Sequence, residues 1–465
     1  MQLTTLLREE EDALSDWTFV EKMALLQTIL LSVILIGVFR STIKRIINGT
    51  KVFVRRFIGV CIYHVARLIP RDPKFVVFGA EAGQGFRGNT KYLYLKAKQD
   101  DRIHCVWVLK NPIAVKQMNQ EGMECYSVHS LKGIYFQLRA KTFIHSHSIH
   151  DDFNRYLLGG ATSINTWHGV GLKKVWGANQ KTYTYKALHE KNPIKRWLHS
   201  FVVRTQNASI SYVISTSDVV SSYYPETYLV KKENILQLGQ ARNDVFFHET
   251  EEDEAVPSFI KENRVITYMP THRNFGKLDK DINRVLDLKE LDAFCEAHGY
   301  KFLVKRHMFS KGQVPTRLKN VVDISHENID PQMLLKYTDI LVTDFSSCYT
   351  DYLLLNRPVL FYCYDLDEYL TKSNEMYHDY YDVTPGPKVE SFASFMEALE
   401  DVVNGRDSYD EERKEVLDIF YEKKNQKTVT DQQVAYIFEH ILKLEYKKTA
   451  SVSSSSKKDH HHFTA

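Results

Sequence analysis

A histidine flanked by small and basic residues is the first feature of the sequence that could do chemistry. His168 lies within SINTWHGVGLKKV (residues 163–175), where Gly169 and Gly171 let the backbone approach a ligand closely and two lysines follow. An unperturbed imidazole has a pKa of about 6.5, so it is the side chain best suited to accept a proton near neutral pH. The stretch therefore predicts an anion-binding loop with His168 as a general base.

Hydroxyl and cationic side chains stand in three further stretches, each at the end of a predicted strand. Residues 270–273 read Pro-Thr-His-Arg, residues 305–307 read Lys-Arg-His, and Ser346 and Ser347 precede a predicted helix. The carboxyl ends of parallel strands meet at one edge of an open sheet, where ligands bind. A phosphate at that edge would meet the cations and the free N–H groups at the start of the helix. Together with the His168 loop, these stretches predict a phosphate-binding site.

Each stretch also has a purely structural interpretation. Ser346 and Ser347 could cap a helix, residues 305–307 could form surface ion pairs, and His168 alone could be a structural histidine. The histidine-rich segment 145–150 fits a strand end better than a metal site, and no metal ligand is predicted. Because the hydroxyl, guanidinium and imidazole groups all fall at predicted strand ends, the ligand-binding interpretation is favoured.

Short strand patterns alternate with helical patterns from residue 74 onward, which predicts an α/β fold. Two series can be distinguished, and the repeat indicates two Rossmann-like, doubly wound halves. The first series comprises residues 74–80, 103–110, 141–147, 162–167 and 211–216. The second comprises residues 235–240, 264–270, 301–307, 339–345 and 358–364. Residues 389–447 are predicted to be helical and to brace the two halves.

Length and composition narrow the class of protein. A chain of 465 residues with 43% hydrophobic and 26% charged residues is typical of a globular protein of two or three domains. Its 61 basic and 58 acidic residues give a net charge of +3, which argues against a nucleic-acid binder. The six cysteines form no CxxC pair, so the sequence indicates neither a zinc site nor a disulfide framework and fits a reducing, cytoplasmic setting.

The N-terminal region predicts membrane association. Residues 23–39 form an uncharged run at the short end of the length that spans a bilayer. Basic residues among apolar ones over residues 40–71 would hold this region at the cytoplasmic, anionic face. We expect residues 1–73 to form a helical region that spans or lies on the inner leaflet of the cell membrane; a buried helical hairpin is the alternative. Residues 448–465 are predicted to be a disordered tail.

Several blocks of the sequence resemble the CDP-glycerol glycerophosphotransferase family of teichoic-acid and capsule synthesis. The blocks occur in the family's order over about residues 74–401, and they are FRGN (86–89), WHGVGLKK (167–174), GQARND (239–244), PTHR (270–273), KRH (305–307), TDFSS (343–347) and DYLLLNRP (351–358). The resemblance implies a GT-B fold, in which two Rossmann-like domains face a cleft and the C-terminal domain holds most of the CDP donor. It also implies a membrane-associated enzyme facing the cytoplasm. With the two strand series, we expect an N-terminal, acceptor-side domain at residues 74–232 and a donor-binding domain at residues 233–447.

The same resemblance implies which residues line the donor site. They are His168, Gly169, Val170, Gly171, Leu172, Arg242, Pro270, Thr271, Lys305, Arg306, His307, Ser346, Ser347 and Asp351. Two positions depart from the family pattern: Val170-Gly171 replaces Thr-Pro, and Lys305 replaces an arginine. The first change removes a hydroxyl and a rigid proline. The second keeps the charge but weakens planar, bidentate phosphate binding.

The predicted reaction is transfer of a polyol phosphate, most simply glycerol phosphate, from a CDP-activated donor to a hydroxyl of a membrane-linked acceptor, with release of CMP. His168 is expected to act as general base, and His307 to contact the diphosphate or assist the leaving group. Arg242, Arg273 and Arg306 would stabilise the transferring phosphoryl group. The donor could be CDP-glycerol or CDP-ribitol, and the acceptor a lipid-linked saccharide or a polyol phosphate; no further cofactor is predicted.

Two other functional classes stay open. A GT-B glycosyltransferase would share the fold and the basic cleft but would transfer a sugar carbon from a nucleotide sugar. Its product would be distinguishable, since a UDP-sugar releases UDP where a CDP-alditol releases CMP. A non-catalytic membrane scaffold could also keep the fold, but the presence of both His168 and His307 argues against it.

Overall fold

The computed structural model describes residues 57–207, 211–271, 279–306, 310–372, 375–422 and 428–445, together with Thr18, Met23, Gln27, Val54 and Arg55. The chain divides into two compact units, Met1–Val65 and Ala66–Ala465. In the first unit, residues 57–65 are helical. No helix within the described ranges is both long enough and apolar enough to cross a bilayer. Apart from Met23 and Gln27, the run predicted at residues 23–39 lies outside the described residues, as does the predicted tail at 448–465.

The second unit contains two parallel sheets. The first sheet has seven strands in the order β3-β2-β1-β4-β5-β6-β7. Its strands are β1 (Asp72–Gly79), β2 (His104–Leu109), β3 (Cys125–Ser127), β4 (Ala140–His145), β5 (Thr162–Asn165), β6 (Tyr212–Ser215) and β7 (Ile235–Gln237). Their centres are continuous apolar runs, such as the fully buried Val76, Val77 and Phe78 of β1. Such runs form because helices cover both faces of a parallel sheet.

The second sheet has six strands in the order β10-β9-β8-β11-β12-β13. Its strands are β8 (Arg264–Tyr268), β9 (Tyr300–Val304), β10 (Val321–Asp323), β11 (Ile340–Thr343), β12 (Val359–Tyr362) and β13 (Lys388–Val389). Every pairing recorded in both sheets is parallel. The predicted α/β class with two parallel halves is therefore confirmed.

Helices connect the strands of each sheet. Those between β1 and β7 are α1 (Gly88–Ala97), α2 (Pro112–Gln120), α3 (Leu131–Arg139), α4 (Ile149–Asp152), α5 (Tyr183–Leu188), α6 (Pro193–Asn207) and α7 (Asp218–Tyr228). The later ones are α8 (Glu252–Ala255), α9 (Ser258–Lys261), α10 (Ile282–Val285), α11 (Leu288–His298), α12 (Pro331–Lys336), α13 (Cys348–Tyr352), α14 (Leu366–Lys372), α15 (Phe392–Val403), α16 (Asp410–Phe420) and α17 (Val429–Tyr436). A π-helix, Ile437–Leu442, continues α17. Short 3₁₀ helices include Glu81–Gly83, Arg155–Leu157, Trp176–Ala178, Lys232–Asn234, Ala241–Phe246, Leu353–Leu355 and Tyr381–Val383.

One strand assignment from the sequence is wrong. The strand predicted at residues 235–240 was expected to open the second half, but it forms β7, which pairs in parallel with β6 at the edge of the first sheet. The reason is packing: Leu236 is buried with Ile214 of β6 in the first sheet's core. We propose that the division between the two halves falls between β7 and β8 rather than at residue 233.

The C-terminal helices connect the two halves. Helix α15 buries Phe395 and Leu399 against the second sheet. Helix α17 returns to the first sheet, where Val429 and Val434 share a core with residues of β1 and β2. The predicted helical character of this segment is confirmed. The chain leaves the first half after β7 and comes back to it at α17. The C-terminal segment therefore packs against both sheets.

Candidate active site

The loop after β5 is held in a strained conformation around His168. Trp167 has φ 54° and Gly169 has φ 135°, both in the left-handed region. A Cβ atom at Gly169 would lie 2.6 Å from Nη2 of Arg242 and 3.8 Å from Oγ of Ser347. Only glycine permits this approach, so the loop brings His168 beside an arginine and a serine that are distant in sequence.

The residue that follows β4 fixes the orientation of the His168 ring. Nδ1 of His168 lies 3.1 Å from the backbone oxygen of Ser146. A carbonyl oxygen only accepts, so Nδ1 carries the hydrogen and Nε2 is left as the proton acceptor of the neutral ring. The ring of His147 stacks on His168 at 4.2 Å and 14°, and Trp167 contacts it at 4.1 Å. These contacts define both the tautomer and the rotation of the imidazole that was predicted to be the general base.

A buried carboxylate holds the segment that orients His168. Asp152, which is wholly buried, accepts hydrogen bonds from the backbone N–H groups of Ser146 at 3.1 Å and His147 at 2.8 Å. Its Oδ1 has no hydrogen-bond partner among the described residues. Burial raises the pKa of Asp152 to about 7, although its hydrogen bonds with the backbone act in the opposite direction. The carboxylate that positions the base is therefore itself sensitive to pH near neutrality.

The surroundings of His168 favour its neutral form. Its pKa is lowered, first because protein surrounds the ring and then because His147 and Arg242 contribute positive charge, although the hydrogen bond with Ser146 acts the other way. The residue as a whole remains exposed, so water reaches the ring from the open side and weakens the effect of burial. A neutral imidazole is the form that can take a proton.

The second sheet supplies a hydroxyl-rich wall opposite this loop. Asp344, at the end of β11, accepts hydrogen bonds from the backbone N–H groups of Thr271 at 2.7 Å and Phe345 at 2.6 Å. This carboxylate ties the end of β8 to the end of β11. Ser347 precedes α13, but its side chain makes no capping hydrogen bond. The alternative that this serine serves only as a helix cap is thus not what the structure shows.

Eight of the predicted site residues line one cavity of about 330 Å³ between the two sheets. They are His168, Gly169, Gly171, Leu172, Pro270, Thr271, Ser346 and Ser347. A cavity of this size and with this mixture of apolar walls and converging polar groups is typical of a small-molecule site. The sequence-based expectation that these groups meet at the carboxyl ends of strands corresponds to their observed positions.

Three other predicted residues lie behind the cavity wall. Val170 is 2% exposed and packs in the core. Asp351 is wholly buried and accepts hydrogen bonds from the guanidinium of Arg242, the amides of Asn243 at 2.9 Å and Gln332 at 2.8 Å, and the hydroxyl of Tyr421. Arg242 and Asp351 thus form a buried ion pair. The pair lies behind Gly169 and does not line the cavity.

The cations after β9 are also engaged elsewhere. Nζ of Lys305 donates to the backbone oxygens of Ile324 at 3.1 Å and Glu327 at 2.7 Å. Arg306 pairs with Asp323 at 3.0 Å and donates to the backbone oxygen of Lys311 at 2.6 Å. Neither cation is among the residues that line the cavity. His307 and Arg273 lie outside the described residues, so their assigned roles stay predictions.

The family model for CDP-glycerol:poly(glycerophosphate) glycerophosphotransferase matches residues 61–439, which is most of the chain. The chain belongs to this family. The predicted family and enzyme class are thereby confirmed, and the protein is an enzyme of the glycerophosphotransferase type.

The curated relatives of this chain carry the names of teichoic-acid enzymes. A teichoic acid poly(ribitol-phosphate) polymerase of Bacillus spizizenii is 28% identical over 346 residues, which is 70% of this chain and 50% of the relative. A teichoic acid glycerol-phosphate transferase of Staphylococcus aureus is 25% identical over 390 residues, 80% of this chain and 94% of the relative. The chain thus spans half the length of the first relative and nearly all of the second.

The wall teichoic acid polymerase TagF has a similar structure. Its TM-score is 0.66 at 22% sequence identity, and the match covers 87% of this chain and 98% of that chain. A TagF variant soaked with CDPG is equally similar, with a TM-score of 0.66. At this level of identity the likeness concerns the fold, and it supports the predicted arrangement of two parallel α/β sheets.

Several residues that shape the site were not singled out from the sequence. Asn89 of the FRGN block donates through Nδ2 to the backbone oxygen of Trp167 at 2.9 Å, and its Oδ1 accepts from the backbone N–H of Arg242 at 3.1 Å. Ser146, His147 and Asp152 support His168, as described above. The signal for Asn89 was its place in the FRGN block of the family resemblance. The signal for the others was the unusual run HSHSIHDD, whose neighbour in space becomes known only from the order of the strands.

Proposed function

We propose that the protein transfers a polyol phosphate, most simply glycerol phosphate, from a CDP-activated donor to a hydroxyl of a membrane-linked acceptor in teichoic-acid synthesis. The observation that carries this proposal is the shared cavity of His168, Thr271, Ser346 and Ser347, which joins a proton acceptor to a hydroxyl-rich wall. Membership of the family supports the donor class. The 94% coverage of a relative named as a glycerol-phosphate transferase supports glycerol as the first choice of polyol.

The proposed chemistry is a single displacement at phosphorus. Nε2 of His168 takes the proton from the acceptor hydroxyl as its oxygen forms a bond to the β-phosphorus of the donor. The bond from that phosphorus to the bridging oxygen breaks, and CMP leaves with the electron pair. The hydroxyl groups of Thr271, Ser346 and Ser347 and the backbone N–H groups of the two serines would stabilise the transferring phosphoryl group, with Lys173 as a cation on the same cavity. His307 and Arg273 are proposed to assist the leaving CMP.

The test is an assay of products from alternative donors. The purified full chain is incubated with membrane acceptors and CDP-glycerol, CDP-ribitol or a UDP-sugar, and released nucleotides are separated by chromatography. We expect CMP from CDP-glycerol at the highest rate. CMP released chiefly from CDP-ribitol would identify ribitol phosphate as the transferred group, and the 28% identity to a poly(ribitol-phosphate) polymerase supports this second candidate. UDP release without CMP would identify a glycosyltransferase and overturn the proposal.

We also propose that the N-terminal region attaches the enzyme to the cytoplasmic face of the cell membrane. The helical residues 57–65 expose several large apolar side chains, and these are Phe57, Ile58, Ile62 and Val65. An exposed apolar helix next to basic residues is typical of binding at an anionic membrane surface. The measurement is flotation of the full chain with liposomes containing anionic lipid. Replacement of Phe57 and Ile58 by serine is expected to reduce the bound fraction, and equal flotation of the variant would contradict the attachment mode.

A further inference from the structure

The cavity has a second wall that the proposed chemistry does not use. Helix α7 and the segment before β13 supply this wall, which is almost entirely uncharged and aromatic. We name it the tyrosine wall, and it consists of Val220, Tyr223, Tyr224, Thr227, Tyr228 and Tyr377. It therefore lines the same space as His168 and the hydroxyl-rich wall, but with a different chemistry.

The tyrosine wall is rigid. The rings of Tyr223 and Tyr377 stack at 4.2 Å and 8°. The hydroxyl of Tyr223 bonds with Nε2 of His378, and the hydroxyl of Tyr377 bonds with Oγ1 of Thr227. The backbone N–H of Tyr377 donates to the oxygen of Leu172 at 2.9 Å, which links the wall to the His168 loop. A surface that is fixed in this way loses little conformational entropy when a ligand binds to it.

The tyrosine wall also adjoins the proposed base. The Trp167 ring lies 4.1 Å from the ring of His168 on one side and 5.2 Å from that of Tyr228 on the other. The Trp167 ring is thus the only ring between the His168 imidazole and Tyr228 of the wall in this series of contacts. In the proposed reaction the acceptor hydroxyl must lie at this imidazole, so the tyrosine wall is close enough to contact a neighbouring part of the acceptor.

The charge of the tyrosine wall selects the kind of group that it can hold. None of its six side chains is ionised at neutral pH, and burial raises the pKa of Tyr223 to about 12. Lys173 is the only lysine or arginine among the described residues that line the cavity. A second phosphate against the wall would lose its hydration without gaining a cation, which is costly. The C–H face of a sugar ring packs well on aromatic surface, and its hydroxyls can bond at the rim.

We propose that the tyrosine wall is an acceptor subsite for an uncharged sugar ring, so that the group which receives the polyol phosphate is a saccharide rather than a polyol-phosphate chain. This inference rests on the proposed function, because it takes the donor diphosphate to lie at Thr271, Ser346 and Ser347. The principal rival occupant is the donor's own cytosine ring, which is also flat and uncharged.

The experiment measures donor and sugar binding separately on the full chain. Isothermal titration gives the Kd of CDP, and saturation-transfer NMR in the presence of CDP detects methyl glycosides of glucose and N-acetylglucosamine, with glycerol 3-phosphate as the charged comparison. The variants are Tyr223→Ala and Tyr223→Leu, the second of which keeps an apolar side chain if the first fails to fold. Tyr183→Ala, an exposed tyrosine on α5, is the matched control.

We expect at least one glycoside to bind the native chain and Tyr183→Ala, and to lose affinity by about tenfold in the Tyr223 variants. The Kd of CDP is expected to stay within about twofold in all variants. Absence of glycoside binding to the CDP-bound protein, or Tyr223-dependent binding of glycerol 3-phosphate instead, would overturn the subsite. So would a large loss of CDP affinity in the Tyr223 variants, because the wall would then hold the cytosine. If the native chain does not bind CDP at all, the proposed function itself fails, and that result is distinguishable from the others.

Discussion

Two buried aspartates support the His168 loop, and they are stabilised in opposite ways. Asp152 lies in the first half and accepts only N–H groups, with one oxygen unpartnered among the described residues. Asp351 lies in the second half and pairs with the Arg242 guanidinium, besides two amides and a phenol. One carboxylate fixes the His168 ring through Ser146, and the other fixes the backbone at Gly169 through Arg242.

The difference shows how one loop can have two kinds of support, an ion pair and a carboxylate whose charge depends on pH. A buried carboxylate paired with a guanidinium forms charge-assisted hydrogen bonds, and the pair acts as a structural connection. A buried carboxylate without a cation is costly to ionise, and this cost explains why the pKa of Asp152 rises to about 7. The backbone at Gly169 is therefore supported by an ion pair. The support of the His168 ring changes its charge near neutral pH.

The largest expected effect comes from removing the His168 ring, which stands on the loop that both aspartates support. His168→Ala should lower the rate of CMP release by about 10² to 10⁴-fold, because the acceptor hydroxyl loses its general base. CDP affinity, measured by calorimetry, should change little, since the hydroxyl-rich wall remains. The exposed His129 provides the control variant, His129→Ala, which should be fully active. A nearly native rate for His168→Ala would show that neither aspartate acts through this ring.

Breaking the Arg242–Asp351 ion pair tests whether the pair stabilises the fold. Asp351→Ala leaves the Arg242 guanidinium buried without its counter-charge, so the free energy of unfolding should fall by about 3–5 kcal/mol. Urea denaturation followed by tryptophan fluorescence measures this loss. The double variant Arg242→Met with Asp351→Leu removes both charges and should recover most of the stability, but not the activity. If Asp351→Ala alone is as stable as the native chain, the pair is not the structural connection described here.

Asp152→Asn tests whether ionisation of Asp152 contributes to the pH dependence of stability. The folded-state pKa of about 7 exceeds the ordinary value of 3.8, so the native state holds a proton that the unfolded state releases between these values. Wild-type stability should therefore fall from pH 4 to pH 7, by at most about 4 kcal/mol from this group. Asparagine can accept the same two hydrogen bonds but does not titrate, so the variant should lack this decline. Parallel unfolding curves for the two proteins between pH 4 and pH 8 would contradict the assignment.

The smallest expected effect compares two glycines of the same loop. Gly169→Ala would force a methyl group against Nη2 of Arg242 at a positive φ, and we expect a loss of about 1–3 kcal/mol of stability with reduced activity. Gly171→Ala would meet no atom within 4 Å, so its stability should change by less than about 0.5 kcal/mol. Thermal denaturation of both variants measures the contrast. Equal effects would mean that Arg242 does not constrain the loop.

The sequence allowed the prediction of those site residues that follow strands directly. Thr271, Ser346 and Ser347 follow β8 and β11 of the second sheet, and the rule that strand ends meet at one edge was enough to group them. His168 follows β5 of the first sheet, and this rule alone does not place it opposite them. The family resemblance added Arg242 and Asp351, and it identified them as part of the site without indicating that they face each other inside the wall. Residue type alone does not distinguish a buried ion pair from two ligand-binding charges.

The remaining features depend on the order of the strands, which a single sequence does not specify. β4 lies beside β5, and only this adjacency places Ser146 and His147 against His168. The membership of β7 was predicted wrongly for the same reason, since three residues of strand pattern do not tell which edge they extend. The tyrosine wall likewise joins α7 to Tyr377, which is 154 positions beyond Tyr223 in the numbering.

The return of the C-terminal segment to the first sheet has a mechanical consequence. The backbone passes between the halves twice, once after β7 and once between α15 and α17. Two covalent connections tie the halves together, and side chains of both halves, such as Val220 of α7 and Leu341 of β11, also pack in one hydrophobic core. The His168 loop and the hydroxyl-rich wall are therefore held in one frame, although they are far apart in the sequence.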